Sequence, residues 1–345
     1  MDLFSGSGAV SWFAAESLGL AVSAIDLQEY AVLTTAAVIE RTKPASASRL
    51  VDSWIQPARL ALEQDPEVAA ARREMASPLS LPKVTRTRKR ASESSLVFTR
   101  SYGGYYFGLE QARAIDELRA SIPARRPHST LCLAALIMAA SRCSASPGHT
   151  AQPFRPTEKA LPHIDRIWRR DLLDETETML RRLAPRYAVR RGTATRGDAN
   201  TIAASLTHDH LVFLDPPYSA AQYSRFYHVL EAIAVGGYDT VYGAGRSPAI
   251  AERANSAYSC VSTASSTLER LLRELGERSC RVVATFPQYP ASNGLSGEEI
   301  VHLARRWFTV DVLASSSHFS TMGGNGEVRA ARRQAQELVI TMFPR

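Results

Sequence analysis

The chain has 345 residues, 45% of them hydrophobic and 22% charged, and its formal net charge is +7 at pH 7. This composition favours a soluble globular protein, and the length exceeds the usual size of one domain, so we expect two lobes. The longest apolar stretch, near Leu131–Ala140, is about half of what a membrane span needs, and no secretory leader is visible. These features exclude a membrane protein and favour the cytoplasm.

The cysteines and the basic residues limit the chemistry further. The four cysteines form no Cys-x-x-Cys pair and have no paired histidines, so neither a zinc site nor a disulfide scaffold is predicted. The positive charge suits a polyanionic partner, and only four of the 41 basic residues are lysines. Arginine forks bind phosphates and guanine edges, but a compositional bias of the genome explains the excess of arginine as well.

The chain opens on Met-Asp-Leu-Phe-Ser-Gly-Ser-Gly, followed by a predicted helix over Ala9–Leu18. Gly6 and Gly8 permit a tight strand-to-helix turn and a close approach of the backbone to a ligand. Asp26 ends the next apolar run, eighteen residues after Gly8, where an acid hydrogen-bonds ribose hydroxyls in nucleotide-binding α/β folds. Ser11 replaces the third glycine of the dinucleotide fingerprint. The pattern therefore indicates a nucleotide-like ligand of another kind.

A long middle segment, 36–194, separates this turn from the next motif. Residues 30–41 are predicted to form a helix, and 42–100 are predicted to be mostly irregular apart from a short helix at 66–75. The run Lys83–Arg90 carries five positive charges within eight residues and indicates an exposed loop. Such a loop either follows the phosphates of a nucleic acid or is only a solvated, disordered segment.

The rest of the middle segment is predicted to be mainly helical. Apolar spacing predicts three helices, at 109–120, 131–142 and 162–184. Before them, Tyr102–Phe107 places a Gly-Gly turn among three tyrosines and a phenylalanine. Aromatic clusters of this kind most often fill a core.

The most informative motif follows an apolar strand at 211–214. This strand is predicted to be buried and to turn sharply at Pro216 and Pro217, at the end of the sheet where open α/β folds handle ligands. There Asp215 can accept hydrogen bonds from an amino group, and the Pro216 carbonyl offers a second acceptor. The Tyr218 ring can stack on a base. The simpler alternative is a tight turn with a solvated aspartate.

Further elements complete the carboxyl-terminal part of the chain. The sequence predicts helices at 222–234 and 268–275, a polar loop at 236–262, strands at 281–286 and 337–342, and a glycine-rich hairpin at 318–326.

These motifs, in this order, resemble those of adenine-specific DNA methyltransferases of the DNA adenine methylase type. The resemblance implies two sets of functional residues. Those that hold the methyl donor, S-adenosylmethionine, are Asp2, Phe4, Gly6, Gly8, Asp26 at the ribose and Asp198 near the adenine ring. Those that act in catalysis are Asp215, Pro216, Pro217 and Tyr218. Two further stretches, 102–107 and 222–228, are similar to sequences of one bacterial branch, where the first belongs near the substrate cleft.

The resemblance also implies the fold and the reaction. The fold is α/β, with a Rossmann-like S-adenosylmethionine-dependent methyltransferase sheet in a catalytic domain formed by 1–35 and 195–345. Residues 36–194 form a mostly helical inserted region that recognises the target. The reaction transfers the methyl group to the N6 amino group of adenine in DNA by base flipping, without a metal. Aspartate before Pro-Pro-Tyr favours adenine, since cytosine N4 enzymes more often have serine there and protein-glutamine enzymes asparagine.

The start of the chain departs from the family pattern. Members usually begin with a segment containing Gly and Lys that walls the methionine end of the donor, whereas this chain starts inside the first strand, at Met1-Asp2. Three alternatives remain: the start is placed too late, the chain is a fragment, or a partner supplies the segment. The expected partner is double-stranded DNA, and a restriction enzyme or a separate amino-terminal segment is an open alternative as a second partner. The alternatives to DNA methylation are an RNA adenine methyltransferase and an inactive nucleic-acid-binding remnant.

Overall fold

A computed structural model of the chain describes residues 1–319 and 333–345. Contacts divide the chain into two compact units. The first, called the sheet unit, comprises Met1–Thr35, Arg190–Ser224 and Ala254–Arg345. The second, called the helical unit, comprises Ala36–Val189 and Arg225–Arg253.

The described residues of the sheet unit form six strands. They are β1 (Ser23–Asp26), β2 (Thr193–Arg196), β3 (Leu211–Leu214), β4 (Arg281–Pro287), β5 (Phe308–Phe319) and β6 (Arg333–Pro344). β1 pairs with β2 and β3 pairs with β4 in parallel, while β6 lies antiparallel between β4 and β5. The predicted strands at 281–286 and 337–342 are confirmed, and both are longer than expected.

The amino terminus joins the two groups of strands. Asp2 forms parallel bridges with Ala24 of β1 on one side and with Phe213 of β3 on the other. The strand order is therefore β2-β1-(Met1–Leu3)-β3-β4-β6-β5. The first residues of the chain, which are too short for a strand of their own, complete the middle of the sheet.

Helices cover this sheet and bury its apolar side chains. The helices of the sheet unit are Ala9–Glu16, the first part of Glu29–Ile39, Ala199–Ala203, Ala264–Glu277, Gly297–Ala304 and the short turn Ala257–Ser259. Helix Ala264–Glu277 buries Leu268, Leu271, Leu272 and Leu275 against strand residues such as Val282. This i, i+3, i+4, i+7 spacing is that of one apolar helix face, so the predicted helix at 268–275 is confirmed.

The helical unit is built from α-helices joined by short connections. They are Ala47–Leu50, Gln56–Gln64, Pro66–Glu74, Leu81–Ser92, Val97–Tyr102, Leu109–Ala120, His128–Cys143, Leu161–Trp168, Leu172–Leu183 and His228–Val235. Val51–Ile55 forms a π-helical turn and Ile250–Glu252 a 3-10 turn. Helix His128–Cys143 packs against Leu172–Leu183 and is buried along most of its length, as its apolar sequence predicts.

The prediction that 42–100 is mostly irregular is wrong, and so is the predicted loop at Lys83–Arg90. The basic run lies in helix Leu81–Ser92, whose buried residues are Val84, Thr87 and Ala91. Pro82 occupies the first turn, where its missing N–H costs nothing. Only these three residues form the buried face, and charged residues surround them in the sequence. The spacing of apolar residues that identifies a helix is therefore not visible.

Two predicted helices are each divided in the structure. The helix predicted at 162–184 ends at Trp168 and resumes at Leu172, because Asp171 accepts hydrogen bonds from the backbone N–H groups of Leu173 and Asp174 as an N-cap. The helix predicted at 222–234 is likewise Tyr223–Phe226 followed by His228–Val235.

The compact units and the predicted domains are divisions of different kinds. Residues 225–253 pack in the helical unit, whereas the sequence assigned them to the catalytic domain. The functional division into a catalytic domain and a recognition region stays a prediction. Among the helices of 1–319 and 333–345, none is long and apolar enough to cross a membrane. The glycine-rich hairpin predicted at 318–326 lies, from residue 320 onward, outside the described residues.

Candidate active site

Strand pairing brings the two sequence motifs to one edge of the sheet. The Leu3 N–H donates to the Phe213 carbonyl at 3.2 Å, and the Phe213 N–H donates to the Met1 carbonyl at 2.8 Å. Parallel strands end at the same edge, so the turn after Leu3 and the loop after Leu214 leave the sheet side by side. Although 207 positions separate Gly8 from Asp215 in the sequence, both lie at the carboxyl edge of neighbouring strands.

The first of these connections is a glycine turn with a left-handed backbone. Gly6 has φ +49° and Gly8 has φ +81°, a region that disfavours side chains. A Cβ atom at Gly8 would lie 2.8 Å from Thr35 Oγ1 and 3.1 Å from its Cα atom. At Gly6 the same atom would meet only the Phe4 carbonyl oxygen, at 3.9 Å. Glycine is therefore required by packing at position 8 and by backbone conformation at both positions.

Asp26 fixes this turn to the end of β1. Its Oδ2 atom accepts from the Gly6 N–H at 2.9 Å, and its Oδ1 atom accepts from the Gln28 N–H at 2.9 Å. Burial raises the pKa of the Asp26 carboxyl, and these two hydrogen bonds act in the opposite direction. The Leu27 N–H also donates to this carboxylate and lowers its pKa. A carboxylate can accept about four hydrogen bonds, so at least one acceptor position remains for a ligand.

Asp2 and Phe4 form the wall behind the glycine turn. Asp2 is buried, and its Oδ2 atom accepts from Ser11 Oγ at 2.6 Å. Burial raises the pKa of the Asp2 carboxyl, against the effect of that hydrogen bond. The half-buried Phe4 ring meets the Tyr258 ring edge-on, with centroids 5.1 Å apart. Asp2 is thus hydrogen-bonded to the helix that follows the turn, and Phe4 offers an aromatic surface next to the turn.

Asp198 lies at the amino end of helix Ala199–Ala203. Its exposed carboxylate accepts from the backbone N–H groups of Asn200 at 3.0 Å and Thr201 at 3.2 Å. The neighbouring Asn200 side chain accepts from the Tyr258 hydroxyl at 2.6 Å. Tyr258 therefore links the Asp198 helix to Phe4, two parts of the sequence that are both predicted to hold the donor.

Asp215 follows β3 directly and reaches the surface at the rim of the sheet. Burial of much of its surroundings raises the pKa of the Asp215 carboxyl to about 6, although a hydrogen bond from the Thr285 side chain lowers it. The nearby charges of Glu337 and Asp2 raise the pKa further. A carboxyl with this environment is ionised near neutral pH but desolvated enough to attract a hydrogen-bond donor.

The Tyr218 ring is held in place by two other aromatic rings. Tyr223 and Phe286 each lie 6.4 Å from it, centroid to centroid, at interplanar angles of 87° and 85°. Burial raises the pKa of the Tyr218 hydroxyl, and the Asp215 charge adds to this effect. The two edge-on neighbours fix the plane of a half-buried ring beside Asp215.

Asn293 is a site residue that the sequence did not identify. Its buried side-chain Nδ2 atom donates to the Pro217 carbonyl at 2.7 Å and to the Tyr258 carbonyl at 2.9 Å. It therefore connects the Asp-Pro-Pro-Tyr loop to the residue that packs against Phe4. The available signal was the Asn293-Gly294 dipeptide, which predicts a turn but no contact 76 positions away.

No group of three or more His, Cys, Asp or Glu residues that could hold a metal ion occurs within 1–319 and 333–345.

Comparison with known proteins identifies the family of the chain. Residues 88–272 match the family described as D12 class N6 adenine-specific DNA methyltransferase. The chain belongs to this family. The resemblance inferred from the sequence is therefore confirmed, on a match that includes Asp198 and the Asp215–Tyr218 loop but not the glycine turn.

One curated relative also aligns with part of the chain. It is the modification methylase LlaI of Lactococcus lactis subsp. lactis, 29% identical over 146 residues. The aligned part is 41% of this chain and 22% of that protein, so the chain spans about a fifth of the relative's length. No solved structure matches the chain.

Proposed function

We propose that the chain transfers a methyl group from S-adenosylmethionine to the N6 amino group of adenine in double-stranded DNA. The observation that carries the proposal is the position of Asp215 at the end of β3, beside the strand that leads into the Gly6–Gly8 turn. Membership of the adenine-specific family supplies the substrate class. The name of the modification methylase supports a role beside a restriction enzyme.

The strand order supports a Rossmann-like sheet of the kind that binds S-adenosylmethionine. Five parallel strands, with Met1–Leu3 in the middle, are followed by the antiparallel pair β6 and β5. The order runs outward from Met1–Leu3 in both directions, so the switch between the two directions lies beside this strand. In doubly wound sheets ligands bind at the carboxyl edge of such a point.

The residues at that edge fit the donor. The acceptor position that remains on Asp26 suits a ribose hydroxyl, and the missing side chain of Gly6 leaves open space beside the backbone. Phe4 and Asp198 would border the adenine ring, while Asp2 holds the turn through Ser11. When bound, the donor supplies a methyl group already activated by a cationic sulfur.

Catalysis then requires an amino nitrogen aligned with that methyl group. A base within a duplex cannot present its amino group, so the target adenine must leave the helix at a cost of a few kcal/mol. Tyr218 offsets part of this cost by stacking on the extruded ring. Asp215 and the Pro216 carbonyl accept the two N–H bonds of N6, which directs its lone pair toward the methyl group and stabilises the developing positive charge.

Replacing Asp215 tests this role directly. Asp215→Ala is expected to reduce methyl transfer by at least about 1,000-fold, since it removes the charged acceptor of the transition state. Donor binding, measured by calorimetry, should stay within about twofold because Asp26 and the glycine turn are unchanged. Near-normal methyl transfer by this variant would contradict the proposal.

A further inference from the structure

Two arginines of the helical unit lie over one tyrosine ring. The Cζ atom of Arg88 is 4.2 Å from the centroid of the Tyr105 ring, and the Cζ atom of Arg246 is 4.8 Å from it. Arg88 belongs to helix Leu81–Ser92, and Arg246 lies in a turn 158 positions later in the sequence. We call Arg88 and Arg246 the arginine pair.

Backbone carbonyls hold both guanidinium groups through one side. Arg88 Nε donates to the Gly104 carbonyl at 2.8 Å. Arg246 Nε donates to the Ser101 carbonyl at 2.8 Å, and its Nη2 atom is 3.3 Å from the Arg100 carbonyl. These contacts use the Nε side of each fork and leave terminal nitrogens for another acceptor.

The Gly-Gly turn of the aromatic motif makes this arrangement sterically possible. Gly104 has φ +75°, and a Cβ atom there would lie 2.7 Å from Arg88 Cγ and 2.9 Å from the Arg88 backbone nitrogen. A Cβ atom at Gly103 would lie 2.9 Å from the Ala91 Cβ atom. Only glycine at these positions lets the turn approach helix Leu81–Ser92 closely enough to place Tyr105 beside Arg88.

Hydrogen bonds also fix the backbone of the turn that carries Arg246. Arg246 has φ +52°, a left-handed conformation that is unfavourable for a residue with a Cβ atom. The preceding Gly245 carbonyl accepts from the Tyr106 hydroxyl at 2.8 Å and lies 2.8 Å from His228 Nε2. These two contacts hold a backbone conformation that would otherwise relax, and the result is a fixed direction for the Arg246 side chain.

The charges of the arginine pair are not neutralised within the described chain. Neither guanidinium has a carboxylate within 4.0 Å among residues 1–319 and 333–345, whereas Arg86 and Arg90 of the same helix pair with Glu74 at 2.7 Å and Glu67 at 2.8 Å. Burial lowers the pKa of the Arg88 guanidinium, and the positive charge of Arg246 lowers it further. Two partly buried cations that lie over the same ring and lack a carboxylate partner among the described residues favour the binding of an anion.

We propose that the arginine pair binds backbone phosphate of the DNA substrate, and that the Tyr105 ring orients both guanidinium groups for this contact. Arginine matches the oxygens of a phosphate with two parallel N–H bonds, and stacking removes the side-chain freedom that binding would otherwise cost. Phosphate contacts position a duplex without reading its sequence. The inference rests on the proposed function, because it takes DNA as the ligand.

Neutral replacements of the pair test the proposal against matched controls. Arg88→Gln and Arg246→Gln are each expected to weaken binding of a short duplex by about tenfold at low salt, to a similar degree for any sequence. Each should also reduce the slope of log affinity against log salt by about 1. Arg86→Gln and Arg90→Gln remove charges that are already paired, and they should change affinity by less than about twofold.

Tyr105 provides a second arm with less risk to the fold. Tyr105→Phe keeps the ring and should bind the duplex like the unmodified protein, whereas Tyr105→Leu keeps both charges but releases the forks and should weaken binding by about threefold. Melting temperatures of all variants are compared to show that they are folded. For an unfolded glutamine variant, the lysine variant at the same position keeps the charge and should lose only part of the affinity.

The outcomes separate the two proposals. If the unmodified protein binds duplex DNA and the Arg88 and Arg246 variants match the Arg86 and Arg90 controls in affinity and salt slope, the inference is wrong while the proposed function stands. If the unmodified protein neither binds nor methylates duplex DNA, both fail. Equal loss in all four glutamine variants would also contradict the inference, because it would indicate general charge rather than a specific pair.

Discussion

At the scale of single residues, the charge state of Asp215 is set by opposing neighbours. Burial raises the pKa of this carboxyl to about 6, the Thr285 hydrogen bond lowers it, and the Glu337 charge raises it. Thr285 lies on β4 and Glu337 on β6, so the next two strands of the sheet after β3 influence the acidity of the proposed acceptor. Because only the ionised carboxylate carries the charge that stabilises positive charge developing on the nitrogen, activity should depend on pH in a defined direction.

We expect kcat/KM to be highest above pH 6 and to fall by about tenfold per pH unit below it, as Asp215 takes up a proton. Thr285→Val removes a hydrogen bond that favours the carboxylate and should move this acid limb to higher pH. Glu337→Gln removes a negative charge and should move it to lower pH. The test is to measure steady-state rates across the pH range for the unmodified protein and for both variants. Shifts in the same direction for both variants would contradict the assignment of Asp215.

The raised pKa of Asp215 also predicts how the stability of the folded protein depends on pH. Asp215 has a folded-state pKa raised above its unfolded value, so the stability that protonation contributes is present at low pH and is lost as the pH rises through about 6. Asp215→Asn avoids the charge. Asp215 is exposed, so solvent screens much of this effect. The melting temperature of Asp215→Asn should be slightly above that of the unmodified protein at pH 8, and the difference should vanish near pH 4. A variant that is less stable at pH 8 would show that Asp215 is not destabilised by burial.

Asn293 is expected to act as a positioning residue, because it contacts the Pro217 and Tyr258 carbonyls. Asn293→Ala leaves two buried acceptors without their donor and should cost about 2 kcal/mol of stability. Asn293→Asp has the same shape but cannot donate, so it separates the hydrogen bonds from the packing. Both variants should lower kcat by about 10- to 100-fold and change the KM for the donor little. An unchanged kcat in both variants would limit Asn293 to a structural role.

At the scale of elements, the sequence predicts those whose signal is local. The strand at 211–214 and the helix at 109–120 are found at the predicted positions, because an apolar run or an apolar period identifies each one. Helix Leu81–Ser92 is not predicted because its buried face is narrow, and because the charges of Arg86 and Arg90 are balanced by glutamates of another helix. Such pairing between distant residues leaves no trace in a sequence window.

The break between helices Leu161–Trp168 and Leu172–Leu183 allows a test of whether the N-cap at Asp171 stabilises the second helix. Asp171→Ala removes the N-cap and should lower the free energy of unfolding by about 1 kcal/mol, seen as a lower melting temperature. Asp171→Asn keeps a capping oxygen and loses only the exposed ion pair with Arg59, so it should cost a few tenths of that. Equal losses in the two variants would show that the ion pair, rather than the cap, stabilises this helix.

At the scale of the whole molecule, the proposed site depends on pairings that join distant parts of the sequence. The order of motifs predicted that the Gly6–Gly8 turn and Asp215 share one sheet edge, because parallel strands place their carboxyl ends together. The contacts of Asn293 and the stacking of Arg88 and Arg246 on Tyr105 required the structure. Asn293 lies 76 positions from Pro217, and Arg246 lies 141 positions from Tyr105, and no local pattern encodes either contact.

The identity of the methylated base tests the central claim most directly. Duplex DNA is incubated with the protein and with S-adenosylmethionine labelled in the methyl group, then digested to nucleosides and separated by mass spectrometry. The label should appear in N6-methyladenine, in duplex DNA rather than in structured RNA, and it should be absent with Asp215→Ala. Label in N4-methylcytosine, or equal labelling by the Asp215→Ala variant, would contradict the account.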